Sequence, residues 1–219
     1  MPTQRCTDDS WELLPGLQSA YRQHHSTETS VLKVLADILH AVDTSDLSIL
    51  ALLNLSAAFD TVDHDILLQR LQASFGVVSV ACDRFWSYLT GRVQFVCQGS
   101  SKSTTVVLRF GVPRGSVLRP LLFILYTANL ITLIEGFGFW PHAYTDDTQV
   151  QGSCLPDSAD QLQLNLSACL ADVSDWMHAN WLQLNTSKTE IVWCTTSCQQ
   201  HRLPAATIQV STNDSPAVR

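Results

Sequence analysis

Two carboxylates stand side by side in Tyr144-Thr145-Asp146-Asp147, between the extended stretches 137–144 and 148–151. A hairpin tip would bring both acids into one small volume, where they repel unless a divalent cation neutralises them. Mg²⁺ suits such a place, because it takes oxygen ligands and is usually held by one or two carboxylates plus substrate phosphates. A solvated Asp-Asp turn is the simpler reading of the pair taken alone. A second stretch runs Leu53-Asn54-Leu55-Ser56-Ala57-Ala58-Phe59-Asp60-Thr61-Val62-Asp63-His64. Asn54 falls near the end of an apolar run, where a buried amide needs hydrogen-bond partners. Ala57 and Ala58 permit close approach, and Phe59 would stand beside them as a wall. A third, Gly111-Val112-Pro113-Arg114-Gly115-Ser116, offers glycines for close backbone approach and leads into a helix whose N-terminus favours anions.

Elements must hold these three stretches together. Ser26-Thr27-Glu28-Thr29 can cap a helix carrying Val31, Leu35, Ile38 and Val42 at helical spacing, ending near 43–46. The run from Leu47 predicts a strand buried on both faces. Asp63 can cap a helix with Ile66, Leu67 and Leu71, and a second helix is expected over 80–89. Segments 93–98 and 104–110 are expected to pair through a loop at 99–102. A core helix is expected over 117–134; its apolar run is shorter than the roughly 20 residues that span a bilayer. Asp157-Ser158 opens a long amphipathic helix with Leu162, Leu166, Cys169, Val173 and Trp176 on one face, and a strand over 189–194 follows. Hairpins mixed with helices predict an α+β fold: an antiparallel sheet backed by helices. The expected organisation is a loose leader over 1–16, one domain over 17–198 and a flexible tail over 199–219.

Of 219 residues, 46% are hydrophobic and 15% charged, a globular composition. The net charge of −7 argues against tight nucleic-acid binding by this stretch of chain alone, since neutralising phosphates supplies most of such affinity. Seven scattered cysteines without a C-x-x-C predict reduced intracellular thiols. Cys194, Cys198 and His201 fit no zinc spacing. No basic start with an apolar core marks a signal peptide, so an intracellular location is expected, nucleus and cytoplasm being indistinguishable.

Taken in order, these stretches resemble the reverse transcriptases of non-LTR retrotransposons. Gln18-Ser-Ala-Tyr-Arg22 with His25-Ser-Thr27 is similar to that family's Q-S-G-F-R…H-S-T segment, and Leu53 to Asp60 to L-D-L-S-A-A-F-D. Gly111 to Phe123 resembles G-V-P-Q-G-S-x-L-G-P-L-L-F, Tyr144 to Asp147 the Y-A-D-D box, and Trp181 to Glu190 the segment ending N-x-x-K-T-E. The resemblance covers about residues 17 to 198.

The resemblance implies a palm domain that adds deoxynucleotides to a DNA primer along an RNA template, with fingers incomplete and the thumb missing. It implies two Mg²⁺ ions that activate the primer oxygen and hold the triphosphate. Asp146 and Asp147 would be metal ligands, Phe59 would screen the sugar, and Gly111, Pro113 and Gly115 would line the template–nucleotide pocket. Arg22 would approach the nucleotide, and Lys188 would help protonate the leaving pyrophosphate. The family's first-motif Asp is Asn54 here, a neutral amide with a single carbonyl oxygen. Asp60, across a turn, is not expected to substitute. Arg114 and Arg119 stand where the family has Gln and Gly, and Thr145 where it has Ala. The expectation is a degenerate, truncated reverse transcriptase domain without polymerase activity. The alternative is a weak or conditional RNA-directed DNA polymerase that uses a divalent metal. Binding of template, primer and nucleotides is expected to be weak, with no membrane association.

Overall fold

The computed structural model of the chain describes residues 17–205 and 208. The expected leader over 1–16 and most of the tail lie outside the described residues. Helix α1 (Thr27–Asp43) starts from a capping box in which Ser26 Oγ accepts from Thr29 N and Thr29 Oγ1 accepts from Ser26 N. Asp63 caps α2 (His64–Ala73) by accepting from Ile66 N at 2.9 Å. Helix α3 spans Val80–Leu89, α4 Leu118–Gly136 and α5 Ala159–Ala179.

The main sheet is antiparallel throughout. In chain order the strands are β1 (Leu47–Leu53), β2 (Leu55–Ser56), β3 (Val93–Gln94), β4 (Cys97–Gln98), β5 (Ser101–Lys102), β6 (Val106–Val107), β7 (Trp140–Tyr144), β8 (Asp147–Cys154), β9 (Gln183–Leu184) and β10 (Glu190–Cys194). In the main sheet β1 lies between β10 and β8, and β8 pairs on with β7. A central strand with both neighbours present explains the apolar run: Leu47, Ile49, Ala51 and Leu53 are all buried. Helices α4 and α5 cover the sheet. From α4, Leu122, Phe123, Tyr126, Leu130 and Ile134 enter the core, so the longest apolar helix is a core element. From α5, the expected Leu166, Cys169 and Val173 enter it, joined by Leu170 and Met177. Gly152 in β8 leaves room for the Phe139 ring, which a Cβ would meet at 2.7 Å.

Arg70 ties α2, α4 and α5 together. It donates to Tyr126 O and Asn180 Oδ1, and its guanidinium lies over the rings of Tyr126 and Trp176. Tyr126 Oη donates to Asn180 O at 2.6 Å.

Three expectations are modified. In α1 the buried residues are Ser30, Val34 and Ala41, while Val31 and Leu35 face solvent. On its half-buried side Asp37 lies 3.5 Å from the buried His142 of β7. The 93–110 ribbon turns at Gly99-Ser100, since Gly99 adopts φ 60° and allows a tighter loop; Ser101–Lys102 pair as strand. Residues 199–202, at the start of the expected tail, belong to a 3₁₀ turn over Ser197–Arg202, in which Arg202 pairs with Asp157.

Candidate metal and nucleotide site

The ladder between β1 and β8 aligns Leu53 with Thr148, so the next residue of each strand emerges at the same end of the sheet. These are Asn54 and Asp147, and Asn54 Nδ2 donates to Asp147 Oδ1 at 3.5 Å. Asn54 O accepts from Asn185 N at 2.7 Å, which anchors the 185–189 turn carrying Lys188 to the same place. The two acids sit at the tip of the β7–β8 hairpin, where Tyr144 pairs with Asp147 and Thr145-Asp146 form the loop. Thr145 adopts φ 61°, a left-handed conformation that a β-branched residue enters only under constraint. Gln18 supplies that constraint: its buried Oε1 accepts from Thr145 N at 3.4 Å and from Ala20 N at 3.0 Å. Residues 17–19 run along the free edge of β7, with Ser19 N donating to Ala143 O and Ala143 N to Leu17 O. Arg22 follows directly, its Nη1 reaching Gln18 O at 3.5 Å. A small recess lined by Gln18, Leu55, Phe123, Thr127 and Thr145 opens beside Asp146.

Partial burial and the neighbouring Asp146 push the Asp147 carboxyl above its ordinary range, and the Asn54 amide opposes that only in part. Among the described residues no three His, Cys, Asp or Glu side chains gather to hold a metal ion. The donor set is two carboxylates and a neutral amide whose N–H₂ end faces the acid. That set does not match a pair of divalent ions, which needs bridging negative oxygen.

The other stretches meet a short way off. The turn at 57–62 is stitched to the Gly111 loop: Gly111 N donates to Val62 O and Val112 N to Phe59 O. Gly111 adopts φ 78°, and a Cβ there would stand 2.9 Å from Asp60 O, so only glycine fits. Its carbonyl lies 2.9 Å from His64 Nε2 and also accepts from Arg92 Nη2. Gly115 adopts φ 75° in the exposed turn after Pro113. Phe59 packs against Phe123 with ring centroids 4.8 Å apart.

Asp60 is fully engaged elsewhere. Arg114 Nη2 donates to its Oδ2 at 2.5 Å, and Arg119 Nη2 to its Oδ1 at 3.2 Å. The Arg114 hydrogen bond and both guanidinium charges hold the Asp60 carboxyl below its ordinary range. The Arg119 guanidinium also lies over the Phe59 ring, 4.8 Å from its centroid. Sequence reasoning singled out Arg114 and Arg119 separately, but not their convergence on one acid. It also passed over His64, Arg92 and Asn185, whose roles depend on which backbone atoms the fold brings near them.

The model of the family "Reverse transcriptase (RNA-dependent DNA polymerase)" matches residues 3–207. The chain is 31% identical over 184 residues to the probable RNA-directed DNA polymerase from transposon BS of Drosophila melanogaster, covering 81% of this chain and 20% of that protein. It is 28% identical over 163 residues to the RNA-directed DNA polymerase from mobile element jockey of Drosophila funebris, covering 71% and 18%. The chain thus spans about a fifth of the length of these relatives. Apo telomerase from Candida tropicalis, truncated from its C-terminal domain, superposes with a TM-score of 0.62 at 12% identity, over 81% of this chain and 36% of that one. Telomerase from Candida albicans, solved with a fragment of telomeric RNA, gives 0.60 at 14% identity over 77% and 30%. The α+β arrangement of an antiparallel sheet backed by helices is therefore a partial reverse transcriptase fold. On the family match and these relatives, the chain belongs to the reverse transcriptase family, as a palm-region stretch of the non-LTR retrotransposon type.

Proposed function

We propose that this domain keeps the palm architecture of a retrotransposon reverse transcriptase but has lost nucleotide addition. The observation that carries this reading is the Asn54 amide directed at Asp147, 3.5 Å away, where the family places a carboxylate. Reverse transcriptases work with divalent metal ions that stabilise the attacking and leaving oxygens of an in-line displacement. Two ions bring four positive charges, and beside the substrate phosphates the protein's share of offsetting them would fall on Asp146 and Asp147. Losing even an outer partner of a metal ligand costs about 10–100-fold in affinity or activity, and losing a ligand should cost more. Asp60 offers no replacement, since both of its oxygens accept from arginines. The fit of Mg²⁺ to these residues is therefore poor.

In this reading Gly111, Pro113 and Gly115, with Phe59, Arg22 and Lys188, are inherited nucleotide-side residues. That is supported by the bonds that stitch the Gly111 loop to the 57–62 turn carrying Phe59, by the contact of Arg22 with Gln18, and by the bond that ties the Lys188 turn to Asn54. RNA template, DNA primer and deoxynucleotides are the ligands this arrangement would accept, weakly given the chain's negative charge.

Primer extension on an RNA template, in Mg²⁺ and then Mn²⁺, tests the reading. No incorporation is expected from the unmodified chain, and clear incorporation would overturn the proposal. Titration with Mn²⁺ separates binding from turnover: Asn54→Asp is expected to tighten Mn²⁺ binding by about tenfold or more. Asn54→Asp alone is not expected to restore polymerisation, because Arg114 and Arg119 remain against Asp60 and Phe59.

A further inference from the structure

We propose that Arg114 and Arg119 form an oxyanion site, masked by Asp60, that takes a phosphate group without a metal ion. Three observations carry it. First, the charges do not balance: two guanidiniums face one carboxylate, leaving one positive charge over at the 57–62 turn. Second, the two arginines differ in a way that suits capture. The Arg119 side chain is only 19% exposed and is held in place by the Phe59 ring, so its charge is pre-positioned. The Arg114 side chain is 78% exposed and can swing onto an arriving ligand. Third, the hydrogen-bond geometry is that of oxyanion recognition. Arg114 approaches Asp60 with both Nε, at 3.4 Å, and Nη2, at 2.5 Å, presenting the planar fork that matches carboxylate and phosphate oxygens alike.

Asp60 thus acts as an internal stand-in for the ligand. A phosphate dianion offers more acceptor oxygens than the carboxylate and one more negative charge, and so cancels the surplus that Asp60 leaves. Because Asp60 is tethered, it competes at high effective concentration, and the unmodified chain should bind phosphate only weakly. The two candidate sources share this chemistry: the terminal phosphates of a small polyphosphate such as a nucleotide, and the backbone of a nucleic acid.

The test uses the full chain in EDTA, so that its outcome is independent of whether Asp146 and Asp147 hold a metal. Inorganic tripolyphosphate is titrated into the unmodified chain, Asp60→Asn, and Asp60→Asn combined with Arg114→Gln and Arg119→Gly. Unmasking by Asp60→Asn is expected to tighten binding about tenfold or more, and the two arginine substitutions to abolish the gain. Asp172→Asn changes the net charge identically at an exposed position of α5, outside the 57–62 turn and the 111–119 loop, and is expected to change nothing. Equal tightening by Asp172→Asn, no tightening by Asp60→Asn, or a gain that survives loss of both arginines would each overturn the site. Titration with dTTP and with a short oligonucleotide then separates the sources, since only the true source should share the tightening. If Asp60→Asn does not fold, Arg114→Gln in the otherwise unmodified chain decides. Exposed as Arg114 is, the variant should fold and lose binding severalfold, and unchanged binding would overturn the proposal.

Discussion

Two carboxylate centres of this domain are balanced in opposite senses. At the hairpin tip, Asp146 and Asp147 repel each other with only a neutral amide to answer them, and Asp147 is harder to ionise than an ordinary aspartate. At the 57–62 turn, Asp60 has two guanidiniums to itself and is easier to ionise. The first centre carries too little positive charge and the second too much. Residue type alone does not set this; partners do, and all the deciding partners (Asn54, Arg114, Arg119) are positions where the sequence departs from its family's pattern. Relative to that pattern, one negative charge is absent from the tip and two positive charges are added beside Asp60.

The strongest way to break this arrangement is Gly111→Ala. Its Cβ would strike Asp60 O and force a left-handed φ on alanine, so both the 57–62 turn and the Gly111 loop must shift. A loss of about 2–3 kcal/mol is expected in urea unfolding. An unchanged midpoint would show that the two stretches are not rigidly stitched.

Next comes Asn54→Asp, which turns the under-balanced centre into three acids. Without metal it should destabilise by about 1 kcal/mol at neutral pH, discounted for the partial exposure of the site. Millimolar Mn²⁺ should reverse the loss. Stability that is indifferent to Mn²⁺ would mean the three side chains do not share one volume.

The pH dependence sharpens the contrast. Asp60 has a depressed folded pKa, so its contribution is present above the unfolded value of about 3.9 and is lost as pH falls through the folded one. Asp60→Asn should remove that part of the acid-side loss. Asp147 runs the other way. With its folded pKa raised, its favourable contribution is present below about pH 3.9 and lost as pH rises through the folded value. Asp147→Asn should therefore stabilise the neutral protein, by only a few tenths of a kcal/mol because the residue is exposed. Carboxyl titration followed by NMR reads both directions, and shifts of the same sign at the two residues would remove the contrast.

Much of this was legible in the sequence where local rules and tertiary context agree. The apolar run after Leu47 is a central strand, Asp63 caps α2, and Tyr144-Thr145-Asp146-Asp147 is a hairpin tip. The juxtaposition of Asn54 with Asp147 follows from the register between β1 and β8, which no local pattern specifies; the family pattern supplied it instead. Other features had no local signal. The residues that α1 buries are Ser30, Val34 and Ala41, two of them small, so the expected stripe of larger apolar residues did not mark the buried face. The engagement of Asp60 by two arginines needs the 111–119 loop folded back over the 57–62 turn, and the backbone partners of His64 and Arg92 come from the same fold-back.

The sheet's two borders are finished differently. Along β7 the chain lays residues 17–19 against the outer strand and occupies the Ala143 amide and carbonyl. Along β10 no strand among the described residues pairs with the outward side, and Val192 there is 43% exposed. An edge of that kind accepts a further extended segment more readily than a covered one, and Glu190 is the one charged residue β10 sets against it.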